Sequence, residues 1–296
     1  MTSLGVMHPN PIPPPTSKHI IVEAKKRGFK TKYLRPQEIT VSYSGKETLF
    51  YLRSRELTLD IIFPRGTTLH GPVEQHLWRT DIVKIMEENG ITAINNYQSI
   101  SKSRDKALTP LYLRANGIPF PPTIITENIS IALTTISEWG SALIKPLMGS
   151  LGRGIILVKD PDTAYPILKQ LLSWGQPLII QKFIEKKDNK DLRALIINGQ
   201  AYATYYRKGR KGTFKTNVAQ GAVVEQAKPS EEIIEIAIKT TEALGLFYAG
   251  VDIAESVDGE LYVLEANASP NWMGAIQLGY NPAGRLVEEA VKNARK

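Results

Sequence analysis

Two apolar, β-prone stretches, Tyr248–Glu255 and residues 260–265, flank Asp258-Gly259, a dipeptide suited to a tight reversal of the chain. The pattern predicts an antiparallel hairpin, and each arm carries an acid among apolar neighbours. Asp252 lies in Gly250-Val251-Asp252-Ile253-Ala254, and Glu265 in Val263-Leu264-Glu265-Ala266-Asn267. Alternation along a strand sends Glu265 and Asn267 to one face, and pairing across the short connection brings Asp252 beside them. A carboxylate within largely buried strands needs a partner or a metal. Two carboxylates and an amide oxygen make a hard, oxygen-only donor set. Such a set suits Mg²⁺, which completes its shell with phosphate and water. The plainer alternative is an ordinary polar strand face, and spacing alone leaves both open.

The rest of the chain bounds the setting. Its 296 residues, 42% hydrophobic, suffice for two or three compact lobes. No run of 18 apolar residues appears, so no membrane span is expected. Residues 1–15 are rich in proline and lack the apolar core of a secretion signal. There is no cysteine, which excludes disulfides, thiolate metal sites and a thiol nucleophile. A cytoplasmic location is the expectation. The formal charge of +8 is compatible with an anion-binding cleft or with nucleic acid. Much of the excess sits in Lys186-Lys187 and in Arg207-Lys208-Gly209-Arg210-Lys211. No base-stacking aromatic series accompanies it, which argues against nucleic acid. The four histidines, His8, His19, His70 and His76, all fall early in the chain and read as structural or surface groups.

Helical and strand patterns alternate, so the expected class is α/β, with α+β lobes. Three regions are expected, at 1–98, 99–182 and 183–296. The first has a helix capped by Ser17 and ending near Gly28, strands at 29–34, 48–52 and 59–63, an amphipathic helix over Val73–Glu88 and a strand at 91–94. The second opens with a helix over 105–115. Strands follow at Thr123–Thr126, 142–146, 155–159 and 178–184, with helices at 130–139 and 161–174. The third has strands at 192–197 and 201–207, a long loop at 208–215, the helix Glu231–Leu244, the hairpin and a final helix over Pro282–Ala294. Lys145 ends an apolar strand just before Gly149-Ser150-Leu151-Gly152-Arg153-Gly154. Glycines there let backbone amides approach an anion closely, with the lysine as a cation for phosphate. A solvated strand-end lysine is the alternative. No P-loop is present, because the lysine precedes the glycines.

From about Asp60 onward the sequence resembles the RimK-like branch of the ATP-grasp ligases. The resemblance rests on Ser103-Arg104-Asp105-Lys106, on residues 149–154 and 181–184, on Asp191-Leu192-Arg193, and on residues 214–221 and 250–270. It implies an ATP-grasp fold preceded by an N-terminal α/β domain. It also implies ATP together with Mg²⁺ or Mn²⁺, two ions held by Asp252, Glu265 and Asn267. ATP contacts are implied at Lys106, Lys145, Gly149, Ser150, Gly152 and Gly154. Further contacts are implied at Gln181, Lys182, Phe183 and Ile184 around the adenine, at Asp191 on the ribose, and at Lys215, Thr216 and Asn217. Arg193 and Arg207 would stabilise charge developing in the reaction. Family members commonly carry an acid where Lys182 stands, and arginine where Lys215 and Gln220 stand.

The implied reaction joins an amine, most typically that of L-glutamate, to a carboxylate through an acyl phosphate. Acceptors in the family include a protein C-terminus, a cofactor or a carrier protein, and members are dimers or tetramers. Specificity is expected from the first region, with Arg65 as an anion ligand, and from Asn271-Trp272-Met273-Gly274. The alternatives are another ATP-grasp peptide or D-amino-acid ligase, or an ATP- or RNA-binding protein without turnover.

Overall fold

The computed structural model describes residues 2–66, 72–147, 154–209 and 223–294. The chain opens with a strand that the proline-rich start conceals, β1 (Ser3–Met7). Leu4, Val6 and Met7 are fully buried, as expected of a parallel strand covered on both faces. At Gly5 a Cβ would stand 2.8 Å from side-chain atoms of Leu34 and Leu59, so only glycine fits between them.

The helix α1 (Pro15–Lys26) follows. Its first turn is set by proline, whose fixed φ and missing N–H suit that position. Ser17 is therefore inside the helix and buried, not a cap. The strand β2 (Lys30–Leu34) pairs parallel with β1. A meander of β3 (Ile39–Ser44), β4 (Glu47–Leu52) and β5 (Arg55–Glu56) forms a separate three-stranded sheet. Then come β6 (Ile61–Pro64), α2 (Val73–Glu88) and β7 (Thr92–Ala93). The first sheet runs β2-β1-β6-β7, all parallel.

A helix that the sequence pattern does not announce, α3 (Tyr97–Arg104), is capped by the Asn96 side chain, which accepts from Ser99 N. Asp105 ends it. The Asp105 carboxylate accepts from the N–H groups of Ala107 and Leu108, and α4 (Thr109–Ala115) begins beyond. The single helix expected over 105–115 is thus shorter and preceded by another. The second sheet follows with β8 (Thr123–Thr126), α5 (Ile129–Trp139), β9 (Ala142–Lys145), β10 (Ile156–Val158), α6 (Pro161–Ser173) and β11 (Leu178–Lys182). It is antiparallel, in the order β10-β9-β11-β8.

The third sheet carries β12 (Lys190–Ile197), β13 (Gln200–Lys208), β14 (Val223–Gln226), β15 (Tyr248–Glu255) and β16 (Leu261–Asn267), in the order β14-β13-β12-β15-β16. The helix α7 (Glu231–Leu244) lies between β14 and β15, capped by Ser230 and closed by Gly245 in the left-handed region. The chain finishes with α8 (Met273–Gln277) and α9 (Pro282–Ala294).

The amphipathic α9 packs back on the first sheet. Leu286, Val287 and Ala290 share one core with Leu4 and Val6 of β1, Ile20 of α1, and Leu195, Tyr205, Tyr248 and Trp272 from the third sheet and its exit. Among the described residues no helix is long and apolar enough to cross a membrane.

Candidate active site

The hairpin of β15 and β16 forms in the expected register. Asp252 pairs directly with Glu265 and Gly250 with Asn267, with a bulge after Asp252. On the other side of β15, Arg193 of β12 is the partner of Asp252, and Tyr205 of β13 is the partner of Arg193. One rung of the sheet therefore reads Tyr205, Arg193, Asp252, Glu265. Because neighbours on a rung point to the same face, a guanidinium and two carboxylates are placed side by side by backbone pairing alone. Two residues along, Arg207 pairs with Asp191.

The polar groups on this face are knitted together and buried. Arg193 grips Asp252 in bidentate fashion, Nε on Oδ1 and Nη2 on Oδ2. Arg207 Nη2 stands 2.9 Å from the same Asp252 Oδ2 and its Nε donates to Asp191 at 2.8 Å. Lys186 lies 3.5 Å from the other oxygen of Asp191. Burial alone would push the Asp252 carboxyl up, but the guanidinium groups of Arg193 and Arg207 outweigh it and hold the group below the usual range. For Arg207, burial works against the charge, and Asp252 and Asp191 more than restore it. Gly250 makes the Arg193 grip possible: a Cβ there would lie 2.7 Å from Arg193 Nη1 and 2.8 Å from Pro270 Cβ.

A cavity of about 340 Å³ opens over this face. Lys106, Lys145, Gln181, Arg193, Arg207, Asp252, Glu265 and Asn267 all line it. Lys145, at the end of β9, donates to the Gln181 side chain, which in turn donates to Thr123 at 3.0 Å. Desolvation lowers the Lys145 ammonium to about 8, with Glu265 opposing the shift and Lys106 adding to it. Burial lowers Lys106 likewise, again against the pull of Glu265. Arg104, partly buried beside them, is brought down by desolvation to about 10. Leu113, Phe120, Ile155 and Ile179 add an apolar wall.

Four residues expected to contact ATP are not among the described residues lining this cavity. Lys182, Phe183 and Ile184 do not line the cavity, and the N–H groups of Lys182 and Phe183 donate to the carbonyls of Pro122 and Ser141. Asp191 is buried on the same sheet face, paired with Arg207 and Lys186. Gly154 is described, in the left-handed region at φ +76° with Pro146 against it. Gly149, Ser150, Gly152, Lys215, Thr216, Asn217 and Gln220 lie outside the described residues.

The cavity also takes in residues to which the sequence pattern assigns no role in it. His8, Thr16, Arg104 and Ser269 line it. Arg65, expected as an anion ligand, lines it as well, and its guanidinium is largely engaged, donating to Tyr248 Oη, Thr16 Oγ1 and the Pro270 carbonyl at 2.8–3.0 Å. It also lies 4.5 Å above the Trp272 ring. His8 and Arg65 stand just beyond the carboxyl ends of adjacent parallel strands, the usual place for ligands in such sheets. For His8, unlike Arg65, the signal lay in that position at the end of β1, which the proline-rich start conceals.

Comparison with known proteins decides the family. A model of the RimK-like ATP-grasp domain matches residues 103–290. The chain belongs to the RimK-like ATP-grasp family. It is an ADP-forming ATP-grasp ligase of the kind that joins carbon to nitrogen, and such ligases use ATP and Mg²⁺. It is similar to the tetrahydromethanopterin:α-L-glutamate ligase of Methanocaldococcus jannaschii, at 33% identity over 92% of this chain and 93% of that protein. A "probable alpha-L-glutamate ligase" of Coxiella burnetii is 30% identical over 91% of this chain and 89% of its own length. In fold it is similar to the ATP-grasp ligase PsnB, solved with a minimal precursor, Mg and ADP, with a TM-score of 0.74 at 17% identity, covering 99% of this chain and 98% of that one. D-alanyl-alanine synthetase A of Vibrio cholerae gives a TM-score of 0.73 at 16% identity, covering 100% of this chain and 99% of that one.

Proposed function

We propose that this ligase joins the amine of L-glutamate, or of a closely related acidic amino acid, to a carboxylate acceptor. The observation that carries the reading is the charge lining the cavity. Among the described residues six cationic side chains, Arg65, Arg104, Lys106, Lys145, Arg193 and Arg207, face only two carboxylates, Asp252 and Glu265. A magnesium-bound triphosphate accounts for part of that excess, and a dicarboxylic amino acid with a carboxylate acceptor suits the remainder. The relatives named as α-L-glutamate ligases support the same choice.

Asp252, Glu265 and Asn267 would hold Mg²⁺, and we take two ions as the working number. The donor set fits. It is oxygen-only, with two carboxylates and one amide oxygen on neighbouring positions of the hairpin. This leaves room for phosphate oxygens and water to complete the shell, as Mg²⁺ prefers. The ions supply neutralisation of phosphate charge. The protein does the rest by position and electrostatics. Lys145 and Lys106, which line the same cavity, would meet the phosphates. The acceptor carboxylate attacks the γ-phosphorus and ADP leaves. The amine then attacks the acyl carbon, loses a proton, and phosphate departs with the C–O bond electrons. Arg193 and Arg207, fixed on Asp252 and Asp191, present guanidinium N–H groups where negative charge accumulates. No side-chain nucleophile is required.

The chain's lack of cysteine suits a cytoplasmic enzyme, and a dimer or tetramer is the assembly we expect, measurable by light scattering. The decisive test incubates purified protein with Mg²⁺, ATP and a desalted cell extract, adding one amino acid at a time. ADP release and a glutamyl-sized mass gain on an extract component, with L-glutamate favoured over neutral amino acids, is the expected result. ADP release driven best by D-alanine, or none with any amino acid, would overturn it.

A further inference from the structure

Part of the cavity lining comes from the ends of the first sheet, and the reading above gives that part no role in binding phosphate. In the order β2-β1-β6-β7 the chain leaves β1 toward β2 on one side and β6 toward β7 on the other. The crevice between β1 and β6 is thus the switch point of a parallel sheet, where ligands settle outside the carboxyl ends of the strands. His8 directly follows β1 and Arg65 directly follows β6; the Arg65 N–H donates to the Met7 carbonyl at 2.9 Å, fixing the two side by side. The first turn of α1 closes the crevice with Pro14, Pro15 and Thr16, and it has no side-chain cap. The first turn of a helix carries N–H groups without intrahelical partners and a partial positive charge.

His8 points to what this crevice holds. Only 7% of the residue is exposed. Its Nδ1 accepts from Asn10 N at 3.1 Å, so the ring hydrogen sits on Nε2. Among the described residues Nε2 has no partner, and the side chain lines the cavity. Burial, and then the charge of Arg65, keep the imidazole neutral, lowering it to about 4. A donor open to a cavity, on an otherwise buried side chain beside a fixed cation and an uncapped helix start, suits an anionic acceptor. No carboxylate other than Asp252 and Glu265 is among the described lining residues. Ser269 and Pro270, which follow the metal-binding strand, are tied to this same corner through the Pro64 carbonyl and Arg65. The Asp252–Glu265 rung lines the same cavity.

We propose that His8, with Arg65 and the first turn of α1, forms the subsite for a carboxylate of the amino acid whose amine is acylated. The inference rests on the ligase reading and adds the residue that positions that substrate. Hydrogen bonds to a charged group are worth enough that losing one shifts affinity about tenfold or more. His8→Ala should raise the KM for L-glutamate by at least about tenfold, with the KM for ATP and the melting temperature little changed. His8→Gln, whose amide nitrogen reaches where Nε2 stood, should recover most of the loss. Calorimetric titration of the full chain with L-glutamate and with unreactive glutarate, in Mg·ADP, reads the same subsite without turnover. Glutarate binding lost in His8→Ala and regained in His8→Gln supports the subsite. Equal binding by wild type and His8→Ala overturns it, as does an absence of binding by wild type. ADP release by the same wild-type preparation shows separately whether the ligase reading stands.

Discussion

Asp252 and Glu265 face each other across one hairpin, yet their surroundings differ, and so should the consequences of changing them. Asp252 is buried under two guanidinium groups. Removing its charge leaves Arg193 and Arg207 without their common partner, a loss that costs about 3–5 kcal/mol in buried pairs. Glu265 forms no ion pair among the described residues and lies on the cavity wall. Asp252→Asn should therefore abolish ADP formation and lower the melting temperature by several degrees. Glu265→Gln should abolish it with the melting temperature nearly unchanged, and calorimetric melts beside an ADP assay separate the two. His8 makes a second test by pH. Its imidazole is lowered in the fold to about 4, from 6.5 in the free state. The unfolded chain therefore takes up the proton first. This contribution to stability is complete above pH 6.5 and is lost as pH falls toward 4, by at most about 3 kcal/mol. His8→Gln should flatten the stability profile across that window; an unchanged acid limb would show that His8 is not buried neutral.

At the scale of elements, the parts legible in the sequence are those fixed by local pattern. Glu231–Leu244 and Pro282–Ala294 carry strong helical periodicity, and the first of them has Ser230 and Gly245 as start and stop; Val73–Glu88 is more weakly amphipathic and is bounded by Pro72 and Asn89-Gly90. The arms around Asp258-Gly259 are apolar and β-prone, so strand propensity and one tight turn suffice to bring Asp252, Glu265 and Asn267 together on the hairpin. β1 is hidden by contrast, because a strand buried on both faces shows no alternation and prolines follow it closely. α3 is largely polar, and its Asn96 cap rather than its periodicity marks it. That Arg193 shares a rung with Asp252, and that His8 adjoins Arg65, depends on sheet order, which pairs strands distant in sequence. The close approach at Gly250 belongs to this scale as well. A methyl group there meets Arg193 Nη1 and Pro270, and Pro270 is held by Arg65. Arg193 can move only by loosening its grip on Asp252. Gly250→Ala should cost about 1–3 kcal/mol as an overpacked site does. It should also reduce turnover at least tenfold while the circular dichroism spectrum stays that of wild type.

Across the whole molecule, the cavity is walled by every sheet except the β3–β5 meander, and one hydrophobic core runs from β1 through β12 and Trp272 to α9. Asn95, fully buried, ties the first region to the third by donating to the Tyr248 and Ala268 carbonyls and accepting from Tyr248 N, at 2.8–3.0 Å. Nucleotide bound between these walls should therefore stabilise the molecule as a unit. A non-hydrolysable ATP analogue with Mg²⁺, at a hundred times its Kd, adds about 2.7 kcal/mol, several degrees in the melting temperature of a chain this size. The shift should fall sharply in Lys145→Ala. It should also depend on pH in a defined direction. The Lys145 ammonium, lowered by burial to about 8, regains a counter-charge when phosphate arrives, so binding above pH 8 draws in a proton. Affinity for the analogue should thus decline as pH rises from 8 to 9.5. In Lys145→Arg, whose guanidinium stays charged throughout, the decline should disappear. A wild-type affinity level across that range would mean that Lys145 does not meet the phosphates.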